Sequence, residues 1–233
     1  MQPRRSRAGV ASRVYTVDDI CYDPVAHRSY APDGREVPHV TGVLGAVGIA
    51  TDFEALAKKL GAKMAADVEY ARALGTAVHA DCHAYDDDDL DVTRLDATKP
   101  YVEAWALCRA DLGLTPIKRE RRLFHPTQFY TGIEDGLFRT PDNRVVLGDI
   151  KIGDPEDSAA HLQTAAYEGA EKATDDAIVI NERWAIHLDP ALRIPYRIVN
   201  FTANRHDAWQ DWGKWLSCLT VYREQPAQRK NNR

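Results

Sequence analysis

The chain contains few cysteines, and none of them lies close to another. The four are Cys21, Cys82, Cys108 and Cys218, so no CxxC pair is present. A zinc ribbon or a disulfide framework requires paired cysteines, and this spacing argues against both. We expect reduced and mostly buried thiols.

A long apolar run is also missing. The longest apolar stretch, residues 42–50, is far too short to cross a bilayer, which takes about 20 residues. The basic start of the chain is not followed by the apolar core of a signal peptide. We therefore expect a cytoplasmic protein with no membrane partner.

Positive charge is not in excess either, with 30 Lys and Arg against 35 Asp and Glu and a net charge of −5. Total charge therefore does not indicate a nucleic-acid binder. Local patches rather than total charge hold phosphates, and one basic cluster lies inside the chain. We expect phosphate contacts from this cluster, which consists of Lys118, Arg119, Arg121 and Arg122.

No repeat or low-complexity linker divides the sequence. With 233 residues and 44% hydrophobic content, the chain is long enough to bury a large core as one domain. We predict a single domain over residues 14–225. A basic N-terminal arm, residues 1–13, precedes it, and a polar tail, residues 226–233, follows it.

Hydrophobic patterning predicts alternating strands and helices. The expected strands lie near residues 14–17, 29–30, 117–124, 128–139, 144–152, 184–188 and 196–201. The expected helices cover residues 41–47, 53–70, 75–85, 100–112, 158–174 and 205–223. In the last helix, Trp209, Trp212 and Leu216 recur at core spacing. Strands flanked by helices predict an α/β fold with a mixed central sheet.

Two aspartates are expected to meet on a hairpin. Between the strands at 128–139 and 144–152 lies a turn sequence, residues 140–143, in which Asn143 tolerates a left-handed conformation. If the loop is residues 141–143, Asp135 lies directly opposite Asp149, whereas a four-residue loop would put them on opposite faces. Like charges directly opposite are destabilising, so this pair indicates a bound cation.

Lys151 shares a strand face with Asp149, because residues two apart point to the same side. It can therefore orient a water molecule or meet phosphate charge beside the carboxylates. Carboxylate oxygens suit Mg²⁺, which also takes substrate phosphate oxygens. On the helix that follows, capped by Ser158 or Asp157, Gln163 and Tyr167 are four apart and share a face.

This combination resembles the RecB-type branch of the PD-(D/E)XK nuclease superfamily, which includes phage-type and mitochondrial exonucleases. Residues 75–79 match the glycine-to-histidine helix of that branch, and residues 37–44 resemble its Pro-Ser-Val-Thr segment. The resemblance covers residues 30–170 and implies a restriction-endonuclease-like core. The motifs that carry it are Gly132-x-x-Asp135, Asp149-Ile150-Lys151 and Gln163-x-x-x-Tyr167.

The resemblance implies metal chemistry. His79, Asp135 and Asp149 would hold one or two Mg²⁺ or Mn²⁺ ions, helped by the backbone carbonyl of Ile150. Glu120 would support the site.

The resemblance also assigns the groups that act on the substrate. Lys151 would be the catalytic lysine, and Gln163 and Tyr167 would support the site and the substrate strand. Some CRISPR-associated relatives carry an iron–sulfur cluster on one early cysteine and a C-terminal group of three. Only Cys218 lies near the end of this chain, so we expect no such cluster.

A zinc hydrolase is an alternative. His79 and His83 are four apart on one predicted helix, as in zinc hydrolases. Position 80 is Ala, however, where those enzymes place the glutamate base. We expect His83 on the helix surface or behind the metal ligands.

The sequence thus favours a metal-dependent deoxyribonuclease, most simply an exonuclease of recombination, repair or phage DNA processing. Its partners would be single- or double-stranded DNA ends and a recombination or single-strand-binding protein. A structure-specific endonuclease of the same fold and a non-catalytic DNA-binding module stay open.

Overall fold

The N-terminal part of the chain forms a small sheet followed by three helices. The computed structural model describes residues 14–23, 28–50, 62–152, 159–174, 177–203 and 205–225. The three strands of the small sheet are antiparallel, in the order β1 (Cys21–Asp23), β2 (Arg28–Tyr30) and β3 (Glu36–Val37). The helices that follow are α1 (Val40–Ala46), α2 (Ala62–Asp86) and α3 (Lys99–Leu112).

A second sheet of five strands occupies the centre of the fold. Its spatial order follows the chain, and only β6 and β7 are parallel; the other neighbours are antiparallel. The elements are β4 (Thr115–His125), β5 (Tyr130–Arg139), β6 (Val145–Lys151), α4 (Ala160–Thr174), β7 (Glu182–Leu188), β8 (Tyr196–Asn200) and α5 (Arg205–Glu224). Helix α4 is the crossover that a parallel pair of strands requires.

Helices cover both faces of the five-stranded sheet, since buried apolar side chains lie on both sides of it. On one face α1, α4 and α5 pack against Leu137 and Leu147. On the other face α2 and α3 pack against Phe138, Val146 and Ile150. This arrangement confirms the predicted α/β class, a mixed sheet flanked by helices.

The β5–β6 hairpin has the predicted three-residue loop. Thr140 N–H donates to the Arg144 carbonyl at 3.0 Å, and Asn143 takes a left-handed φ of 66° between them. The ladder pairs Arg139 with Val145 and continues to Gly136 and Gly148. The next step of this register puts Asp135 across from Asp149, as the sequence predicts.

Two glycines face each other beneath an aromatic ring next to these aspartates. Gly136 and Gly148 are cross-strand partners. A Cβ on Gly136 would lie 2.7 Å from Phe138 Cζ, and a Cβ on Gly148 would lie 2.9 Å from Phe138 Cε2. Both distances are below van der Waals contact, so the ring occupies the space that two side chains would otherwise fill.

The small sheet is attached to the large one through its last residues. Thr131 N–H on β5 donates to the Pro38 carbonyl at 2.9 Å, and His39 forms a β-bridge with Thr131. The His39 ring also lies 2.7 Å from the Ser29 hydroxyl. The segment at 37–40 is therefore held between the two sheets.

A fully buried arginine, Arg183 on β7, joins two helices to the sheet. Its guanidinium lies 3.2 Å from a Glu168 oxygen on α4 and 3.0 Å from an Asp211 oxygen on α5. It also donates to the His161 carbonyl at 2.7 Å. A buried charge needs such partners, because removing one of them leaves an uncompensated ion.

The predicted strand at residues 14–17 is wrong. The structure has a 3-10 turn at Val17–Asp19 instead. Asp19 accepts hydrogen bonds from the backbone and the hydroxyl of Thr16, at 2.9 and 3.0 Å. These local side-chain bonds compete with strand pairing, which explains the difference.

The helices predicted at 53–70 and 75–85 are not separate where the structure describes them. Helix α2 runs without a break from Ala62 to Asp86, and residues 51–61 lie outside the described part. Residues 71–74 are good helix formers, and the single glycine at 75 costs only about 1 kcal/mol, so nothing there ends the helix.

Neither α2 nor any other helix of the described residues is long and apolar enough to span a membrane.

The predicted core position of Trp209 is also wrong. Its side chain is 76% exposed, whereas Trp215 is fully buried. Trp212 and Leu216 are partly buried against the same core. Both stripes of this helix, one through Trp209 and one through Trp215, have helical spacing, so periodicity alone could not choose between them.

The predicted caps of α4, Ser158 and Asp157, and the predicted tails at 1–13 and 226–233 lie outside the described residues.

The packing of α4 against α5 yields a stability prediction. A Cβ on Gly169 would lie 2.2 Å from the Trp212 ring, so Gly169→Ala should lower the free energy of unfolding by about 1–2 kcal/mol through overpacking. Gly213→Ala is the matched control, since a Cβ there meets nothing within 4 Å and should stabilise the helix by about 0.5–1 kcal/mol. Urea unfolding at 25 °C measures both. Equal effects of the two substitutions would contradict the described packing.

Candidate functional site

Two buried aspartates form the centre of the candidate site. Asp135 is 9% exposed and Asp149 is 2% exposed. One Asp135 oxygen accepts the Ile150 N–H at 2.6 Å, which fixes the carboxylate against the neighbouring strand. The hairpin register thus brings two acids together away from water, as predicted.

Helix α2 places a histidine, His79, beside Asp135. His79 Nδ1 lies 3.0 Å from Asp135 Oδ1, although the two residues are 56 positions apart in the chain. The helix comes close to the end of β6 at Gly75, where a Cβ would be 3.8 Å from Ile152 Cδ1. The predicted proximity of the glycine-to-histidine helix and the first aspartate is present.

A polar chain links Asp149 to helix α4. Lys151 Nζ lies 2.8 Å from Asp149 Oδ2 and donates to Gln163 Oε1 at 3.0 Å. The Gln163 amide in turn donates to Asp149 Oδ1 at 3.2 Å and contacts the Tyr167 hydroxyl at 3.0 Å. The four residues predicted to share this edge are therefore in direct contact.

Tyr167 is positioned by a glycine on β5. A Cβ on Gly132 would lie 2.5 Å from Tyr167 Cε1 and 3.3 Å from Val40 Cγ2. The Tyr167 ring therefore occupies the space that a side chain at position 132 would fill. This close approach explains why the first motif begins with glycine.

Burial and nearby charge act in opposite directions on the two carboxyl groups. Burial raises the pKa of Asp149 to about 6, although Lys151 opposes the rise. Burial would also raise the pKa of Asp135, but His79 and then Lys151 outweigh it, and this pKa lies below its ordinary value. Asp135 in turn raises the pKa of His79 against the effect of burial. A metal ion would therefore compete with a proton at the histidine.

Ile150 contributes to the site through its backbone. Its N–H binds Asp135, and its side chain is buried among α2 and α3. The structure thus puts the peptide of Ile150 beside the carboxylates. The ligand role of its carbonyl stays a prediction.

His83 lies beside His79 and Asp135. Its side chain is 6% exposed, so of the two predicted positions the helix surface is wrong, and a position behind the metal ligands stays a prediction. One ligand atom each of His79, His83 and Asp135 lies within 4.8 Å of the others. The signal was present in the sequence, because the two histidines are four apart on one helix.

The basic cluster on β4 is engaged within the protein. Lys118 Nζ lies 3.1 Å from a Glu171 oxygen, and Arg121 pairs with the same buried carboxylate. Arg119 lies 2.7 Å from Asp87. Phosphate contacts from these three residues would compete with existing ion pairs, and they stay a prediction.

Arg122 and Glu120 differ from their neighbours on β4. The Arg122 guanidinium lies 5.0 Å from the centre of the Tyr22 ring, in a cation–π contact. Glu120 is exposed and has a φ of 40°. A left-handed φ is uncommon for a residue inside a strand. A supporting role for Glu120 stays a prediction.

A third buried acid, Glu134, precedes Asp135. It is fully buried, and neither carboxylate oxygen has a hydrogen-bond partner among the described residues. Arg121 Nε lies 3.7 Å away, but burial raises the pKa of Glu134 to about 7. This burial could not be predicted from the sequence, because a glutamate on a strand is usually exposed.

The donor set fits a divalent cation. It combines imidazole nitrogens with carboxylate oxygens, and within the described ranges His83 Nδ1 is buried without a hydrogen-bond partner. Unsatisfied buried polar atoms are rare in folded proteins and indicate a missing partner. His79, His83 and Asp135 would be nearest to such an ion, with Asp149 on the adjacent strand.

In comparisons with known proteins, no family model matches this chain, and no match is found among curated proteins. Functional inference therefore depends on the geometry and chemistry described above.

The donor set predicts stabilisation by metal. At a concentration about 100-fold above its dissociation constant, Mn²⁺ should raise the free energy of unfolding by roughly 2.7 kcal/mol. The midpoint of thermal unfolding should then rise by roughly 5–10 °C relative to a sample in EDTA. Asp135→Asn should remove this shift, since it deletes a charged ligand. Asp89→Asn, at an exposed loop position, is the control and should keep it. Differential scanning calorimetry gives the answer, and a shift that survives in Asp135→Asn would refute this site.

Proposed function

We propose that this protein is a divalent-metal-dependent deoxyribonuclease, in first place an exonuclease that acts at DNA ends. The observation that carries the proposal is one cluster in which the His79–Asp135 pair adjoins the Lys151–Gln163–Asp149 chain. Carboxylates, a histidine and a lysine in contact are the groups that metal-assisted phosphodiester hydrolysis uses. The resemblance to RecB-type PD-(D/E)XK nucleases supports the same reading.

Each side chain has a role that follows from its contacts. His79, Asp135 and Asp149 would hold Mg²⁺ or Mn²⁺, which when bound would offset charge on the scissile phosphate and acidify a water molecule. Lys151 orients the attacking water and stabilises negative charge as it develops on the phosphate. Gln163 fixes Lys151 through its amide oxygen.

The remaining parts of the proposal concern substrate and setting. DNA ends, single- or double-stranded, are the proposed substrate, and recombination, repair or phage DNA processing is the proposed context. A recombination or single-strand-binding protein would be the partner, in the cytoplasm. The same site chemistry serves a structure-specific endonuclease, since only access of the substrate differs.

The decisive experiment compares linear and closed circular DNA. End-labelled single- and double-stranded linear DNA and a closed circle are incubated with Mg²⁺, Mn²⁺ or EDTA. Metal-dependent loss of linear DNA with intact circles would support the exonuclease, and cut circles would support the endonuclease. Binding of DNA without cleavage under any of these conditions would show a non-catalytic DNA-binding module.

The lysine gives the sharpest test of mechanism. Lys151→Ala should lower the cleavage rate by about 10²–10³-fold, because it removes a charge that acts mainly in the transition state. DNA affinity should change much less. Lys172→Ala, at an exposed lysine on α4 that pairs with Glu168, is the matched control and should keep the rate. Near wild-type turnover of Lys151→Ala in single-turnover kinetics would exclude the proposed role.

A zinc hydrolase is a second candidate, and one observation favours it. Two histidines and one carboxylate, His79, His83 and Asp135, lie close enough to bind one ion, as in catalytic zinc sites. Position 80 lacks the glutamate base, and this candidate leaves the Lys151–Gln163–Tyr167 chain without a function. Neither cleavage nor binding of DNA, together with Zn²⁺-dependent hydrolysis of ester or peptide substrates, would favour it.

A further inference from the structure

We infer that His83 is a ligand of the metal site, and that it makes the site prefer a first-row transition ion such as Mn²⁺ over Mg²⁺. The inference rests on the proposed metal-dependent function and narrows the identity of its ion. It adds one residue to the ligand set and selects between the two ions named above.

The position of His83 is the first argument. It lies one helical turn after His79 on α2, so the two rings share a face of the helix. Their ring centres are 6.5 Å apart, and one ligand atom of each lies within 4.8 Å of the other and of an Asp135 oxygen. Side chains at this spacing can reach a common ion.

The unsatisfied nitrogen of His83 is the second argument. The side chain is 6% exposed, and Nδ1 has no hydrogen-bond partner in the part of the chain that the structure describes. Leaving a buried polar atom unpaired costs about 1–3 kcal/mol. By contrast, the buried His125 uses its Nδ1 to accept the Gln128 N–H at 3.1 Å. Nδ1 of His125 thus has a hydrogen-bond partner, whereas Nδ1 of His83 has none among the described residues.

The chemistry of the donors is the third argument. Mg²⁺ takes oxygen ligands in near-ideal octahedral geometry and keeps several waters. Imidazole nitrogens suit transition ions, whose affinity for nitrogen sites rises along the series from Mn²⁺. A second imidazole beside His79 therefore strengthens transition-ion binding more than Mg²⁺ binding.

The test measures metal affinity without DNA. The full chain is freed of metal with EDTA, Mn²⁺ binding is followed by the electron paramagnetic resonance of free Mn²⁺, and Mg²⁺ binding by displacement of Mn²⁺. In His83→Gln, Mn²⁺ affinity should fall at least about tenfold, because mutation of residues that only hold metal ligands in place already costs that much. Mg²⁺ affinity should fall less than about threefold. His125→Gln is the matched control and should keep both affinities.

A second measurement covers the case in which His83→Gln does not fold. In the wild-type chain, substoichiometric Mn²⁺ should broaden the imidazole NMR signals of His79 and His83, while the signal of His125 stays sharp. Sharp His83 signals, or equal losses of Mn²⁺ and Mg²⁺ affinity in His83→Gln, would overturn the inference.

Binding and cleavage separate the two proposals. If His83→Gln loses the preference for Mn²⁺ and the wild type does not cleave DNA, the inference about His83 holds and the proposed nuclease function is wrong. DNA cleavage with unchanged affinities in His83→Gln would keep the nuclease and reject this inference.

Discussion

Two carboxylates held close together and away from water are the constraint on which the site depends. Asp135 and Asp149 face each other because of a three-residue loop, and both are buried. In a low-dielectric interior their repulsion is weakly screened. Neighbouring groups offset this repulsion. Asp135 is bound by the Ile150 N–H and by His79. Asp149 is bound by Lys151 and by Gln163. The charges of the two carboxylates are therefore partly balanced by protein groups.

Helix α4 is held in place by polar contacts to three strands, and this gives the site a rigid support. Gln163 binds the lysine of β6, Glu168 pairs with the buried Arg183 of β7, and Glu171 pairs with two basic residues of β4. Sliding or rotating this helix would break buried ion pairs, each of which is expensive to separate. The basic cluster of β4 therefore has a structural role that its sequence did not reveal.

Local patterns predicted much of this structure. Turn chemistry at residues 140–143 predicted the hairpin and left two registers open, one of which the structure has. Helical spacing predicted the shared face of Gln163 and Tyr167. These features depend on neighbours in sequence. Three features that the sequence did not predict depend instead on distant residues. The exposure of Trp209 depends on which side of α5 meets the sheet, and the pairing of Lys118 with Glu171 joins residues 53 positions apart. His83 belongs to the same class, because its burial follows from how α2 lies on the sheet.

The phenylalanine ring over Gly136 and Gly148 also constrains how this sequence can diverge. Gly136 follows one aspartate of the candidate site and Gly148 precedes the other, and the Phe138 ring lies over both glycines. A side chain at either glycine becomes acceptable only after position 138 has become smaller. In a lineage of such proteins, these three positions would therefore change in a fixed order, with the aromatic residue first. The two motifs of the site are thus linked in their evolution through a residue that does no chemistry.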